Sequence, residues 1–255
     1  MLKVKNICYS YKNKKEVLKN ITFSAKKGQI TTILGPNGSG KTTLFKCISG
    51  LLPDYKGEVE FDGKLINNLD FKERAKIFSV VPQEHTPPFA YLVFDVVLMG
   101  RANYIGIFST PKKEDYKIAE EALEFVGIKH LKDIPYTEIS GGERQLVLIA
   151  RALAQKAPVM LLDEPVNHLD FRNQLEVLKK IKEIAKDRNI TVIMTLHDPN
   201  LACLFSDYAV IVNSGKKIAE GKTSEILTEE LIKKLYKVRV KIYSLNGHRI
   251  ICPLI

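Results

Sequence analysis

The residues best suited to chemistry follow one another in a telling order. Gly35-Pro36-Asn37-Gly38-Ser39-Gly40-Lys41-Thr42 fits G-x-x-x-x-G-K-T in full. Its glycines let the backbone approach a ligand and turn N–H groups towards it, and a helix starting there adds its positive end. That pattern cradles the phosphates of a nucleoside triphosphate. Lys41 is expected to reach the β- and γ-phosphates, Thr42 to offer its hydroxyl to Mg²⁺, and Thr43 to contact the α-phosphate. Downstream, the apolar run Val159-Met160-Leu161-Leu162 ends in Asp163 and Glu164. An acid closing such a strand supports Mg²⁺ in enzymes with this loop, and Asp163 takes that place. Glu164 is expected on the other side of the strand end, where a carboxylate can accept a proton from, or orient, an attacking water. Alone, Asp-Glu before Pro165 would be a solvated turn; behind a complete phosphate loop it reads as chemistry.

Two further polar residues close apolar strands: Gln83 after Ile77–Val81, and His197 after Thr191–Leu196. In a parallel sheet, strand C-termini face the ligand crevice. Gln83 can then bridge Mg²⁺ or the lytic water, and His197 can hydrogen-bond the γ-phosphate and hold the water in line with Glu164. A single histidine at a strand end is more often structural. Ser140-Gly141-Gly142 opens a predicted helix through Leu146, Ile149 and Leu153. Ser140 can cap that helix, whose first N–H groups suit an anion.

The elements that must carry these residues are readable. Leu2, Val4 and Ile7, then Ile21, Phe23 and Ala25, alternate with polar residues, as in an antiparallel sheet with one wet face. Ile30–Leu34 reads as a buried strand entering the glycine loop. The helix after Thr42 runs through Leu44, Phe45, Ile48 and Leu51 to a stop at Pro53. Glu58–Phe61 with Asp62-Gly63 predicts a strand and hairpin turn. Residues 84–158 are helical in pattern, with Ala119, Ala122, Leu123 and Val126 on one face and Gly127 as a stop. Then strands at 159–163, 191–196 and 209–212 alternate with a helix carrying Leu175, Leu178, Ile181 and Ile184, the pattern of a parallel sheet covered on both faces. A helix near 224–237 and a hairpin turning at Asn246-Gly247 finish the chain. The expected organisation is a split α/β core over 1–83 and 159–223, a helical insertion over 84–158, and an appendage over 224–255.

With its motifs in this order, the chain resembles the ATP-binding subunit of an ABC transporter over nearly its whole length. The resemblance implies a P-loop NTPase (RecA-like) core with a mainly parallel sheet, an N-terminal antiparallel β subdomain and a helical subdomain. It implies ATP and Mg²⁺ as cofactors, with ATP held between two copies. One copy would supply Gly35 to Thr43, Gln83, Asp163, Glu164 and His197; the other would close the site with Ser140, Gly141, Gly142 and Glu143. Asn167-His168-Leu169-Asp170 stands where the family has its D-loop, with Asp170 pairing the two sites. The family more often has Ser-Ala at the first two positions, and Glu143 replaces a frequent Gln. Tyr11 matches the aromatic that stacks on adenine; Tyr9 is its rival, and strand packing remains open for both. Val80–Gln83, Val96–Arg101, the 142–155 helix and Thr195–Asn200 look most like type II importer ATPases, which take up iron-siderophore, haem, cobalamin or molybdate.

Composition narrows the partners. The 255 residues are 45% hydrophobic, enough for a large core. No apolar run approaches the roughly 20 residues of a membrane span. Met1–Lys5 alternates like a strand rather than a signal peptide, which predicts a cytoplasmic protein; the resemblance implies that permease subunits hold it at the membrane face. An extracytoplasmic binding protein would be an indirect partner. The net charge of +10 is spread over Lys12, Lys14, Lys15, Lys26, Lys27, Lys112, Lys113, Lys179, Lys180 and Lys182. Without a basic block or interleaved aromatics, nucleic acid is not expected. Cys8, Cys47, Cys203 and Cys252 lack metal-ligand spacing and read as free thiols, with a metal cluster as the remote alternative. Thr86–Leu92 is apolar for a connection: it reads equally as a docking patch for a permease helix or as packing of Phe89 and Tyr91 inside the helical insertion. The competing function is a soluble ABC ATPase acting in iron-sulfur cluster assembly or on nucleic acid.

Overall fold

A computed structural model describes residues 1–12, 16–83, 89–106, 109–245 and 248–254. The chain opens with β1 (Leu2–Tyr9), β2 (Leu18–Ala25), β3 (Ile30–Leu34), α1 (Lys41–Ser49), β4 (Lys56–Phe61) and β5 (Lys64–Leu65). There follow α2 (Phe71–Ala75), β6 (Phe78–Val81), α3 (Val93–Leu98), α4 (Lys113–Val126), α5 (Gly141–Ala154), β7 (Val159–Leu162) and α6 (Phe171–Asp187). Short 3-10 turns lie at Met99–Tyr104 and Lys129–Leu131. The last stretch holds β8 (Thr191–Leu196), α7 (Pro199–Phe205), β9 (Tyr208–Asn213), β10 (Lys216–Lys222), α8 (Thr223–Ile226), α9 (Glu229–Tyr236), β11 (Val240–Leu245) and β12 (His248–Pro253). Two compact units result, 1–69 with 185–255, and 70–184.

In the first unit, β2-β1-β4-β5 form an antiparallel sheet. Leu2, Val4, Ile7, Ile21 and Val59 are fully buried on its inner face. Lys3 and Lys5 reach Glu60 at 3.5 and 2.7 Å, a solvated pairing worth little for stability. The unit's other sheet has β3 between β8 and β9, both parallel to it, with β10 antiparallel on the outer edge of β9. Every residue of β3 and β8 is buried. Strands buried along their whole length need cover on both faces, and the hydroxyls of Thr31, Thr32, Thr191 and Thr195 are buried with them. The C-terminal β11 and β12 pair in register from Val240↔Pro253 to Leu245↔His248. Their turn, Asn246-Gly247, lies outside the described residues, as do Lys14 and Lys15.

In the second unit, β6 and β7 run parallel, with Phe78 opposite Val159 and Val81 opposite Leu162. Helices α3, α4 and α5 pack on one another through Val93, Val96, Val97, Ala119, Leu123 and Ile149, all buried. Arg101 is enclosed there: its Nε donates to Asp115 Oδ1 at 3.0 Å and Nη1 to the Ala154 carbonyl at 2.9 Å. Two buried opposite charges are tolerated because the pair and the added carbonyl satisfy them.

Several expectations are corrected. Helix α1 stops at Ser49, not near Pro53: Gly50 takes φ 78° and its N–H caps the Cys47 carbonyl at 3.1 Å. A left-handed glycine ends a helix more cheaply than any other residue, so Leu51 falls outside it and is exposed. The helix expected near 224–237 is two helices, because Thr228 turns extended and caps α9 by accepting from the Leu231 N–H at 3.2 Å. Strands β6 and β7 fall in the unit 70–184. Gln155, at the end of α5, ties the helices to β6 by donating to the Phe78 carbonyl at 2.8 Å. Among the described residues no helix is long and apolar enough to cross a membrane.

Candidate functional site

The glycine loop is built by its neighbours in the first unit. Gly35 leaves β3 beside β9, so close that a Cβ there would lie 2.1 Å from the Val212 carbonyl oxygen. No other residue fits without moving the strand. Gly38 and Gly40 take φ 75° and 105°, conformations that disfavour side chains. Gly40 is the N-cap of α1, no side chain caps that end, and no acid lies in its first turn. Lys41 is buried, and its Nζ arches back to donate to the Gly35 carbonyl at 2.9 Å and the Pro36 carbonyl at 3.3 Å. Ser39 is also buried, and its hydroxyl has no hydrogen-bond partner among the described residues. A turned-in cation, an unsatisfied hydroxyl and an uncapped helix start together form an anion cradle, which fits a polyphosphate.

Tyr11 and His197 belong to the same unit. Tyr11 is 37% exposed, its hydroxyl lies 3.4 Å from the Thr43 hydroxyl, and Tyr9 meets it edge-on at 4.9 Å. The exposed ring is therefore Tyr11, while Tyr9 supports it. His197 follows β8 with its side chain exposed. Asp198 next caps α7, accepting from the Asn200 N–H at 2.7 Å, with Pro199 at the first helical position.

The acidic residues lie in the second unit. Pairing of β6 with β7 continues one step beyond the strands, where the Asp163 N–H donates to the Val81 carbonyl at 3.0 Å. Asp163 is 4% exposed. Glu164 does not continue the strand: at φ 46° it swings into a left-handed turn, closed by the Asn167 N–H on its carbonyl at 3.1 Å. A non-glycine residue held there is strained, a feature typical of working sites. Two side-chain amides converge on one carboxylate oxygen of Glu164, Gln83 Nε2 at 3.4 Å and Asn167 Nδ2 at 3.2 Å. Thr42, Gln83 and Asp163 all offer oxygen donors, the chemistry Mg²⁺ takes with one or two carboxylates plus substrate phosphates.

The Ser140 turn is complete in itself. Ser140 Oγ accepts from the Glu143 N–H at 3.3 Å, while the Glu143 carboxylate accepts from the Ser140 N–H at 2.8 Å and its hydroxyl at 2.7 Å. Those bonds hold the Glu143 carboxyl below the usual glutamate range. Gly141 is open, but a Cβ on Gly142 would meet the Asn173 side chain at 2.6 Å. Asn173 in turn binds Asp170 twice, through its N–H at 2.8 Å and its Nδ2 at 3.0 Å. No local pattern marks Asn173, because thirty residues separate it from the turn it packs against. His168 takes φ 63° in the same loop.

Phe89 is 66% exposed, so it does not pack inside the helices. Tyr91 meets it edge-on at 5.8 Å. Thr86, Pro87 and Pro88 lie outside the described residues. The cysteines are free thiols, and burial pushes Cys47 up to about 12. Among the described residues no three His, Cys, Asp or Glu side chains gather as a metal cluster.

Known proteins resemble this chain in sequence and in fold. The ABC transporter family profile matches residues 18–167. The probable iron chelatin transport ATP-binding protein of Helicobacter pylori is 40% identical over 237 residues, 92% of each chain. Among solved structures, a transporter described as metal-chelate type, in an inward-facing conformation, superposes with TM-score 0.87 at 33% identity, covering 100% of this chain and 97% of that one. An ATP-binding cassette solved as a post-hydrolysis dimer with ADP and Pi gives TM-score 0.75 at 30% identity, over 88% of this chain and 99% of that one. The chain thus belongs to the ABC transporter family, as one of its ATPase subunits.

Proposed function

We propose that two copies of this chain close on two Mg-ATP molecules and drive import of a metal chelate through membrane permease subunits. The observation that carries the hydrolytic part is the pair of amides, Gln83 and Asn167, converging on the Glu164 carboxylate. Both donate to the same oxygen, so they aim that carboxylate, as a residue that orients water requires. Lys41, the backbone N–H groups of Gly38 to Thr42 and the Ser39 hydroxyl bind the β- and γ-phosphates. Tyr11 stacks on the adenine. Thr42, Gln83 and Asp163 would hold Mg²⁺, which would supply positive charge to offset that of the phosphates. Glu164 orients the attacking water and takes its proton, and His197 holds the γ-phosphate in line.

The partner copy's Ser140 turn completes each site by adding helix N–H groups to the same phosphate. Asp170 and Asn173 support that turn behind Gly142. Reversing a 1:99 open-to-closed population takes about 5.5 kcal/mol, which ATP can supply because only the closed pair makes both sets of contacts. Loss of the γ-phosphate removes the shared anion, and the pair reopens.

The cargo reading is supported by the iron-chelatin name of the Helicobacter pylori relative and the metal-chelate description of the solved transporter. The exposed Phe89, with Tyr91 and Leu92, is the surface we assign to the permease on the cytoplasmic side, with a substrate-binding protein beyond the membrane. Proteoliposomes holding the permease and this subunit test the reading. Iron-chelate uptake that needs ATP, and that Phe89→Asp abolishes while ATPase activity survives, is expected. Uptake of molybdate instead, or uptake unchanged by Phe89→Asp, would contradict the cargo or the docking surface respectively.

A further inference from the structure

The C-terminal appendage grips the backbone around His197 from two sides. On one side, the Tyr236 hydroxyl at the end of α9 donates to the His197 carbonyl at 3.0 Å. On the other, Asn200 makes a two-way pair with β12: its Nδ2 donates to the Ile251 carbonyl at 3.1 Å, and its Oδ1 accepts from the Ile251 N–H at 2.8 Å. These bonds act on a segment only four residues long, His197 to Asn200, capped in the middle by Asp198. The appendage is itself braced. Glu229 of α9 accepts from the Ile242 N–H of β11 at 2.9 Å, and Arg249 of β12 donates to the Ser224 carbonyl of α8.

We propose that this appendage is a positioning device for His197, with Tyr236 and Asn200 as its two fixed points. The inference rests on the reading that His197 holds the γ-phosphate. A histidine that must meet a phosphate in one orientation loses rate if its main chain can rock, and the His197 side chain is exposed. Burial, helped by the neighbouring Asp198 charge, pushes the Tyr236 phenol well above its ordinary pKa, so it stays a donor throughout the working pH range. Its bond to a carbonyl leaves the imidazole unengaged by the tether. Asn200 serves better than an apolar residue because it satisfies both the N–H and the carbonyl of Ile251, a strand edge that would otherwise go unpaired. Neither Tyr236 nor Asn200 meets nucleotide under this proposal; both act through His197.

The test is a kinetic cycle on the full chain. Tyr236→Phe keeps the ring and removes only the hydroxyl. It should lower kcat for ATP about three- to tenfold, the size of one lost hydrogen bond, with KM for ATP unchanged within twofold. Asn200→Ala should do the same from the other side, and it serves as the independent variant if Tyr236→Phe unfolds. In a His197→Ala background, neither change should lower kcat further. Full activity of Tyr236→Phe and Asn200→Ala beside an impaired His197→Ala would overturn the positioning role alone. Losses that multiply in the double variants would also overturn it, because they would mark a general structural effect. Full activity of His197→Ala would instead remove the reading of His197, and the inference with it.

Discussion

Two helix starts in this chain look alike in sequence, each built on serine and glycine, yet they are finished differently. At α1 no side chain caps the end, no acid lies in the first turn, and a buried lysine leans over the loop. At α5 a serine and a glutamate cap each other, so the turn is satisfied by its own residues. The first arrangement is incomplete without an anion. The second is stable alone and adds to an anion already bound elsewhere. Under the proposed function, that difference would let one loop bind nucleotide by itself while the other contributes only when a second copy brings it to an occupied site.

The comparison can be broken most sharply at Lys41. Lys41→Ala removes the cation from the incomplete cradle, and loss of about 3 kcal/mol of charge-assisted bonding should weaken ATP binding about a hundredfold in titration calorimetry. Unchanged affinity would mean the cradle is not the primary anion site. Gly142→Ala should act on the second turn alone. Its Cβ would collide with Asn173 and disturb the Asp170 pair, lowering turnover about tenfold while ATP binding to the single subunit persists. Gly141→Ala is the control, since its Cβ would meet only Leu169 at 3.8 Å. Equal effects of the two would sink the role given to Asn173.

The smallest effects are in the cap itself. Ser140→Ala should cost about 1 kcal/mol of stability, read by denaturant unfolding. Glu143 adds a pH signature. Its folded pKa lies below the unfolded one, so its contribution is present above about pH 4.3 and fades as pH falls through the folded value. The stability gap between the wild type and Glu143→Gln should therefore shrink in thermal melts taken from pH 7 down to pH 3. A gap that widens in acid would contradict the capping box.

Much of this was legible because local chemistry dictated it. Ile30–Leu34 is a strand from the first residue to the last, and Gly127, at φ 90°, ends α4 where the glycine rule places it. The relations that were not legible are tertiary. Gly50 outcompeted the apolar spacing that pulled Leu51 into α1. Strand β10, Lys-Lys-Ile-Ala-Glu-Gly-Lys, sits on an edge and shows little alternation, so it left no periodic signal. Helix α7 does carry a local signal, Asp198 as a cap and Pro199 at the first position. Nothing local links Asn173 to Gly142 or Tyr236 to His197; only folding brings them together.

The central claim, ATP shared between two copies, is tested most directly with Glu164→Gln in sedimentation velocity. Removing the base should cut turnover about 10²- to 10⁴-fold and leave nucleotide affinity intact. With Mg-ATP the variant should sediment as a dimer carrying two nucleotides, and with Mg-ADP as a monomer. A variant that binds Mg-ATP tightly yet remains monomeric at every concentration would contradict the account.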